Sequence, residues 1–288
     1  MKTILVTGAT GNVGMEVIKN LSKDNVNVKV LAGVREEAIT GQLFDKYNVE
    51  SIYFDFDNKE SIEKAFSLTD IVFLLRPPQL ADVKKYFQPV IEIAVQKKIN
   101  HIVFLSVQGA ETSSFIPHHK IEKLIEESGI NYTFLRPAYF FQNFTTTLRK
   151  DIIENQKIFL PAGKSKFTVI DVEDLGVVSS LILADPAKHI NKAYDLTNDE
   201  KLSFGEMADI LTKVLNKKIT FKSPDLISFY IKKRREKIPS MFVLVMIMLH
   251  YLPRFKPTPN TTKWVEVISN KKPKNFREFV ESNQQLLT

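Results

Sequence analysis

The chain has 288 residues, of which 44% are hydrophobic and 25% charged, and this composition excludes extensive disorder and fibrous architectures. It contains no cysteine, which excludes disulfides, thiolate metal sites and a cysteine nucleophile. The net charge of +7 comes from basic residues spread along the chain with one cluster at 232–235, and because no zinc-finger or RNA-binding signature accompanies them, specific nucleic-acid binding is not expected.

The first half of the sequence alternates short β-branched or aromatic runs with helical patterns. Strands are predicted at Thr3–Thr7, Val26–Leu31, Ser51–Asp55, Ile71–Leu75, His101–Ser106 and Tyr132–Arg136. Helices are predicted from the Gly11–Gly14 segment onward and at Ser61–Phe66, Val83–Lys97 and His118–Ser128. This alternation is typical of an α/β fold with a Rossmann-type, doubly wound parallel sheet. The nearly continuous apolar strands fit a sheet covered on both faces.

Beyond about residue 145 the strict alternation ends. Short strands are predicted at Phe167–Ile170 and Ala193–Leu196, and helices at Val172–Ala184 and Ser203–Leu215. No linker rich in Gly, Ser or Pro separates this half from the first. We therefore predict a first domain at 1–145 and a smaller α/β substrate lobe at 146–288 that is interwoven with it.

The segment 231–257 has an unusual composition. A basic stretch and Pro239 precede an apolar run at Met241–Leu249, and further prolines follow. Nine apolar residues are too few to cross a bilayer, so no membrane span is expected. We interpret the segment as a core helix, with an amphipathic helix that contacts a membrane or forms an oligomer as the alternative. A monomer or a homodimer is expected.

The most informative motif follows the first predicted strand, where Gly8, Gly11 and Gly14 form a G-x-x-G-x-x-G pattern. Such glycines permit a tight turn, a close approach of the backbone to a pyrophosphate, and close packing of helix on strand, while the helix N-terminus offers free N–H groups. The motif predicts a bound dinucleotide, so the first domain is interpreted as NAD(P)-binding. The apolar run before Gly8 is too short for a signal peptide, and a cytoplasmic protein is expected.

The ends of the second and third strands indicate which nucleotide binds. Arg35 is the first charged residue after the second strand, where an arginine accommodates a 2′-phosphate. NADP(H) is therefore expected to be preferred, with NAD(H) as the alternative because Glu36 or Glu37 would take ribose hydroxyls. Asp55 ends the third strand and is a candidate acceptor for an adenine amino group; Asp57 is equally placed as a helix N-cap.

Taken together, these residues resemble the NmrA-like branch of the atypical short-chain dehydrogenases/reductases. The resemblance covers nearly the whole chain and is carried by the glycine motif, Arg35, Asp55 and several later motifs: Leu74-Leu75-x-Pro77-Pro78, Ser128-Gly129-x-x-Tyr132-Thr133-x-x-Arg136-Pro137-x-x-Phe140-x-x-Asn143, Phe167-x-x-Ile170-Asp171-Val172-x-Asp174-Leu175 and Phe276-Arg277-Glu278-Phe279-Val280. That branch includes NAD(P)H-dependent quinone and azo-dye reductases and also redox-sensing regulators that bind the nucleotide without turning it over.

Candidate cofactor-binding residues lie in the glycine turn, at the strand ends and after the sixth strand. They are Gly8, Thr10, Gly11, Asn12, Val13, Arg35, Asp55, Phe56, Leu75, Pro77, Ser106, Tyr139 and Asn143. Ligands of open α/β sheets bind at these carboxyl ends of strands. One or two aromatics of the 139–141 stretch are expected to stack on a planar substrate, and at least one belongs to the core.

The candidate catalytic residues follow from the resemblance. None of the eight tyrosines is followed four positions later by a lysine, so the Tyr-x-x-x-Lys pair of ordinary members of the superfamily, and with it dedicated carbonyl chemistry, is not expected. In the NmrA-like branch a Lys or His four residues before a Glu often faces the nicotinamide ribose, and here His118 precedes Glu122. His118 is the candidate for orienting the cofactor and supplying a proton with an apparent pKa near 6–7, and Lys120 is its substitute. The alternative is an ordinary exposed helix pair.

Two function hypotheses follow. The first is an NAD(P)H-dependent reductase of quinones or similar planar acceptors, because a quinone gives a stabilised phenolate that needs no buried acid. The second is a non-catalytic NADP(H)-binding redox sensor that acts through a protein partner. A metal site is not expected, because adjacent His118 and His119 point in different directions on a helix and no third ligand accompanies them.

Overall fold

The computed structural model describes residues 1–23, 27–36 and 43–288. Glu37 and the predicted strand start at Val26 lie outside these residues. The chain forms two compact units. The first comprises 1–137, 172–196 and 264–272, and the second comprises 138–171, 197–263 and 273–288.

The first unit is built on a parallel sheet of seven strands. Numbered along the whole chain, these are β1 (Lys2–Val6), β2 (Val28–Val34), β3 (Glu50–Tyr53), β4 (Ile71–Leu75), β5 (His101–Leu105), β6 (Asn131–Pro137) and β10 (Lys192–Leu196). Their spatial order is β10-β6-β5-β4-β1-β2-β3, so the order reverses between β1 and β4. Open α/β sheets bind their ligands outside the carboxyl ends of the strands at this reversal. The predicted fold class is confirmed.

Helices accompany these strands. They are α1 (Asn12–Leu21), α2 (Lys59–Phe66), α3 (Val83–Gln96), α4 (Pro117–Glu127), α6 (Val172–Ala184) and α10 (Trp264–Ser269). Helix α1 buries Val13, Val17, Ile18 and Leu21, the stripe recognised in the sequence. It packs on α6, where a Cβ added to Gly176 would lie 2.6 Å from Cβ of Glu16. This contact is too close for any residue larger than glycine.

The predicted elements of the first half lie within a few residues of the observed ones. The largest shift is in β2, which continues to Val34 instead of ending at Leu31. Helix α2 is capped by Asn58, whose side chain accepts a hydrogen bond from the Ser61 amide. The alternative that Asp57 is the N-cap is therefore wrong by one residue, since Asp57 instead pairs with Lys85.

The second unit contains two smaller sheets and six helices. The sheets are β11-β9-β7 and β12-β8, built from β7 (Tyr139–Phe140), β8 (Lys157–Phe159), β9 (Lys166–Ile170), β11 (Lys201–Ser203) and β12 (Thr220–Lys222). The helices are α5 (Arg149–Asn155), α7 (Phe204–Leu215), α8 (Leu226–Arg235), α9 (Ser240–Tyr251), α11 (Phe276–Ser282) and α12 (Gln284–Leu287). Its core is rich in phenylalanine, with Phe141, Phe144, Phe204 and Phe276 fully buried.

One helix and one strand that are predicted in the second half of the sequence belong to the first unit. Helix Val172–Ala184 packs on α1, and strand β10 pairs with β6 in parallel. Residues 138–145, which the sequence assigns to the first domain, lie in the second unit. The chain extends the parallel sheet with a strand from its later half, and hydrophobic periodicity alone does not show which sheet that strand joins.

The apolar helix of the segment 231–257 is buried on one side only. Helix α9 buries Val243, Met246 and His250, whereas Met241 and Leu249 are 69% and 52% exposed. The interpretation as a core helix is therefore wrong for the opposite face. Among the described residues, no helix combines the length and apolar character needed to cross a bilayer.

Candidate functional site

The glycine turn lies between β1 and α1, where the strand order reverses. Gly8 adopts a left-handed backbone with φ of +60°, and its carbonyl accepts a hydrogen bond of 3.0 Å from the Gly11 amide. A Cβ at Gly14 would lie 2.3 Å from that same carbonyl oxygen. The first and third glycines are thus required by the turn itself and by the close packing of α1 against it.

The second glycine leaves the N-terminus of α1 open. Among the described residues, a Cβ at Gly11 would meet only the Gly8 carbonyl within 4 Å, at 3.3 Å. Gly11 is the N-cap of α1, and no side chain of the described residues caps the helix there. Thr10, Gly11 and Asn12 are exposed, whereas the Val13 side chain is buried, so Val13 has only its backbone to offer a ligand. A bare helix N-terminus beside an exposed glycine fits the pyrophosphate of a dinucleotide.

The strand ends on one side of this turn carry Arg35 and Asp55. Because β2 extends to Val34, Arg35 is the first residue beyond the strand, and it is exposed. The Asp55 carboxylate accepts a hydrogen bond of 3.0 Å from the Asp57 amide and is half-buried. Phe56 is also half-buried, with its ring 5.2 Å from that of Phe87. The Asp57 amide binds Oδ1 of Asp55, so this hydrogen bond does not use Oδ2.

The end of β4 contacts the glycine turn directly. The Thr7 hydroxyl donates to the carbonyl of Phe73 and accepts from the Leu75 amide at 2.8 Å, which joins the ends of β1 and β4. The Leu75 side chain lies 3.0 Å from the position of a Cβ on Gly8. Sequence reasoning singled out Leu75 but not Thr7, although a buried threonine at a strand end is a recognisable signal for such a link.

Beyond Leu75, Arg76 binds His118. The guanidinium Nε of Arg76 donates to Nε2 of His118 at 3.3 Å, and its Nη1 donates to the carbonyls of Pro77, Pro78 and Leu80 at 3.1 Å each. Since a guanidinium only donates, Nε2 is the acceptor and the neutral imidazole carries its proton on Nδ1. Burial, with a smaller contribution from the Arg76 charge, lowers the pKa of His118 to about 3.

The structure bears on two expectations for His118. Burial lowers the pKa of His118 to about 3, below the range of 6–7 given for proton supply, and its role at the site stays a prediction. The alternative of an exposed pair with Glu122 is wrong, because Glu122 is buried and accepts two hydrogen bonds, of 3.0 and 2.7 Å, from Arg136. Lys120 is exposed and two residues along α4, where side chains point away from that of His118.

Ser106 follows β5 at the same edge of the sheet. It is 2% exposed, and its amide donates to the Leu135 carbonyl at 2.8 Å. Its hydroxyl oxygen is buried and has no hydrogen-bond partner among the described residues. Buried hydroxyls are rarely left unpaired, so this one fits a polar atom of a ligand at the carboxyl ends of the strands.

Tyr139 and Asn143 lie in the second unit. The Tyr139 ring packs on those of Phe167, Phe204 and His250 with centroids 5.6–5.9 Å away, and its hydroxyl lies 3.3 Å from Nε2 of His250. Burial raises the pKa of Tyr139, and a hydrogen bond with Asn143 opposes the rise. In the 139–141 stretch, Phe141 belongs to the core and Phe140 is half-buried.

Residues 1–279 match the NmrA-like family. The chain belongs to this family. Prestalk A differentiation protein A of Dictyostelium discoideum is 30% identical over 97% of the chain and 91% of that protein. An NAD(P)H azoreductase of Xenophilus azovorans is 28% identical over 76% of each chain. The predicted resemblance is thereby confirmed, and the distant relatives of this NmrA-like protein include NAD(P)H-dependent reductases.

Solved structures of NmrA-like proteins share the fold. The NADPH-dependent quinone oxidoreductase QOR2 of Escherichia coli, solved with NADPH, has a TM-score of 0.87 at 21% identity and covers 97% of this chain and 99% of its own. The negative transcriptional regulator Nmra, solved with NAD, has a TM-score of 0.75 at 17% identity, covering 97% and 94%. At these identities the likeness shows the fold alone.

Besides Thr7, Arg76 is a residue of the candidate site of this NmrA-like protein that sequence reasoning missed. It occupies the variable position between Leu75 and Pro77, so the motif gave no reason to select it. Its partner His118 is 42 positions away, and no spacing rule connects the two. Across the described residues, no group of three or more His, Cys, Asp or Glu is arranged to hold a metal ion.

Proposed function

We propose that the protein is an NAD(P)H-dependent reductase that passes hydride directly to quinones or similar planar acceptors. The observation that carries the proposal is the glycine turn, which leaves the N-terminus of α1 uncapped one strand away from the Arg76–His118 pair. When bound, the nicotinamide supplies the hydride. The chain's own residues hold the nucleotide and orient it.

The expected preference for NADP(H) over NAD(H) rests on Arg35. Its guanidinium is exposed at the end of β2, where it is accessible to a 2′-phosphate. Charge-assisted hydrogen bonds to phosphate are roughly twice as strong as neutral ones. Glu36, the alternative ribose acceptor, follows Arg35 and is also exposed.

His118 acts in this proposal as an orienting group and not as an acid. Arg76 occupies its Nε2 atom, which leaves Nδ1–H as the donor toward a ribose or an acceptor oxygen. The absence of a Tyr-x-x-x-Lys pair then matters little for quinones, because the reduced product is a stabilised phenolate that water can protonate. The azoreductase relative makes other planar acceptors reasonable substrates.

The proposal is tested by mixing the purified chain with NADPH and a panel of quinones and azo dyes, and by following the absorbance of NADPH. We expect turnover with at least one acceptor class and slower turnover with NADH. Gly11→Val serves as the control that removes nucleotide binding. Tight NADPH binding without turnover of any acceptor would contradict the proposal.

A second candidate function is a nucleotide sensor that acts through a protein partner. The sequence resemblance to a branch that includes redox-sensing regulators suggests it, and the regulator Nmra shares the fold. In this case nucleotide binding would persist with no reductase activity, and a partner would bind the nucleotide-loaded and nucleotide-free forms with different affinity. The turnover assay and a nucleotide titration together separate the two functions.

A further inference from the structure

Helix α9 presents an apolar face to solvent. Its buried residues Val243, Met246 and His250 lie on one side of the helix. At 100° per residue, Met241, Leu244 and Leu249 fall on the other side, and they are 69%, 51% and 52% exposed. Helices that are apolar all round are normally covered on every side, so this face lacks a partner within the described chain.

Further exposed apolar residues lie in α8, which packs on α9, and in the segment after α9. In α8, Ile227 and Ile231 are one turn apart and 73% and 45% exposed. After α9, Leu252 and Phe255 are 41% and 69% exposed. We call these residues, together with Met241, Leu244 and Leu249, the α8–α9 surface. Exposed apolar residues gathered on neighbouring elements mark interaction sites on soluble proteins.

Basic residues accompany this apolar surface. Residues 217–256 contain ten Lys or Arg against two Asp or Glu, a formal charge of +8 compared with +7 for the whole chain. Both acidic residues are engaged, because Asp225 caps α8 and Glu236 pairs with Lys232 and Lys233. These two lysines also pair with Asp151 from outside the segment, so the other eight basic residues carry the excess charge. The exposed basic residues of the segment include Arg234, Arg235, Lys237, Arg254 and Lys256.

A basic cleft adjoins the surface. Its volume is about 1030 Å³, and its lining includes Lys164, Arg254, Lys256 and Tyr251. Arg254 and Lys256 flank Phe255 of the α8–α9 surface in the sequence. Cationic side chains beside exposed apolar ones are suited to a layer in which anionic headgroups lie above acyl chains.

We propose that the α8–α9 surface docks on an anionic lipid bilayer. The exposed apolar side chains enter the boundary between headgroups and acyl chains, and the basic residues contact anionic headgroups. At 1.5 Å per residue, the 12 residues of α9 extend about 18 Å, well short of the hydrocarbon core of about 30 Å. The helix therefore lies on the membrane instead of crossing it.

Charge distinguishes this occupant from a second copy of the chain. A two-fold symmetric dimer places the same patch of both subunits together, and each patch would bring its excess of positive charge. Like charges in one interface are repulsive. An anionic bilayer complements the same charge, so the observations favour lipid.

The proposal is tested by flotation of the full chain with vesicles of phosphatidylcholine alone and with vesicles of phosphatidylcholine and phosphatidylserine in equal parts. We expect binding to the anionic vesicles only, weakened by added salt. The triple variant Met241→Ser, Leu244→Ser and Leu249→Ser, and the double variant Arg235→Glu and Lys256→Glu, should each lose at least about tenfold in partitioning.

Matched controls change exposed residues of the first unit. Leu68→Ser with Val267→Ser is the apolar control, and Lys64→Glu with Lys97→Glu is the charge control; both should partition like the unmodified chain. An unchanged thermal unfolding temperature shows that each variant is folded. The proposal would be overturned if the chain failed to bind anionic vesicles or if the control variants lost as much binding. It would also be overturned if light scattering showed a dimer that the triple serine variant abolishes, because the surface would then belong to a contact with a second copy.

Discussion

The glycine turn after β1 and the Arg76–His118 pair lie at neighbouring strand ends of one sheet, but they depend on the chain in different ways. The turn is made by residues within seven positions of one another, from Gly8 to Gly14. The pair joins residues 42 positions apart. The difference teaches that the turn proposed to bind the nucleotide is encoded locally, whereas the chemical state of the candidate orienting group depends on tertiary packing.

The largest effect is expected at the third glycine. A Cβ at Gly14 would lie 2.3 Å from the Gly8 carbonyl oxygen. That oxygen belongs to the backbone and the position of a Cβ is fixed by its own backbone, so neither atom can move cheaply. Gly14→Ala should lower the free energy of unfolding by about 3 kcal/mol or more, measured by urea denaturation. The control is Gly205→Ala, where a Cβ in α7 meets nothing closer than 3.8 Å and stability should be unchanged or slightly higher.

The second glycine should separate binding from stability. The backbone of Gly11 is extended, with φ of −81°, so a β-branched residue fits its conformation. Gly11→Val should weaken NADPH binding by about a hundredfold or more, because the side chain blocks the approach of the pyrophosphate. Thermal unfolding should shift by only a few degrees. Unaltered nucleotide affinity in the folded variant would contradict the role of the glycine turn in binding.

Arg35 tests the choice of nucleotide. Arg35→Ala should weaken NADPH binding by about tenfold or more, since charge-assisted hydrogen bonds contribute about 1.5–3 kcal/mol, and leave NADH binding nearly unchanged. Fluorescence titration with both nucleotides measures the ratio. Lys59→Ala, also at an exposed position, is the control. Equal weakening for the two nucleotides would contradict the role of Arg35.

His118 tests the part of the site that depends on long-range packing. His118→Ala should reduce quinone turnover by about tenfold, and the wild-type rate should show no inflection at about pH 6–7, because the pKa of His118 is about 3. The unfolded imidazole, with an ordinary pKa near 6.5, binds protons more readily than the folded one. His118 therefore makes the native state less stable as the pH falls from about 6.5 toward 3, and the alanine variant should show a shallower acid dependence. Full activity in the variant would make His118 a structural residue.

The smallest effect is expected for Arg76. Burial is the main cause of the low pKa of His118 and the Arg76 charge is the lesser one, so Arg76→Gln should raise that pKa modestly. NMR titration of the imidazole measures the change. Arg76→Lys keeps the charge but not the guanidinium contacts with three carbonyls, and it should raise the pKa less. An unchanged pKa in Arg76→Gln would show that the contact has no electrostatic effect on His118.

Sequence reasoning located the sheet well because its strands are apolar on both faces and punctuated by helices. Ile71–Leu75 was predicted to the residue, and the apolar stripe of α1 is buried as expected. The face of α9 was misjudged for a physical reason. A helix that is apolar all round has no amphipathic period, so its sequence does not tell which side is covered.

The sequence by itself determined the glycine turn, because its glycines permit one backbone path between near neighbours, and it determined most strands of the sheet, because their apolar runs are covered on both faces. The tertiary structure alone decided that Glu122 pairs with Arg136 instead of His118, that Arg76 fixes the tautomer of His118, and that strand β10 joins the first sheet. These outcomes depend on which distant segments the packing brings within a few ångströms, and no local spacing specifies them.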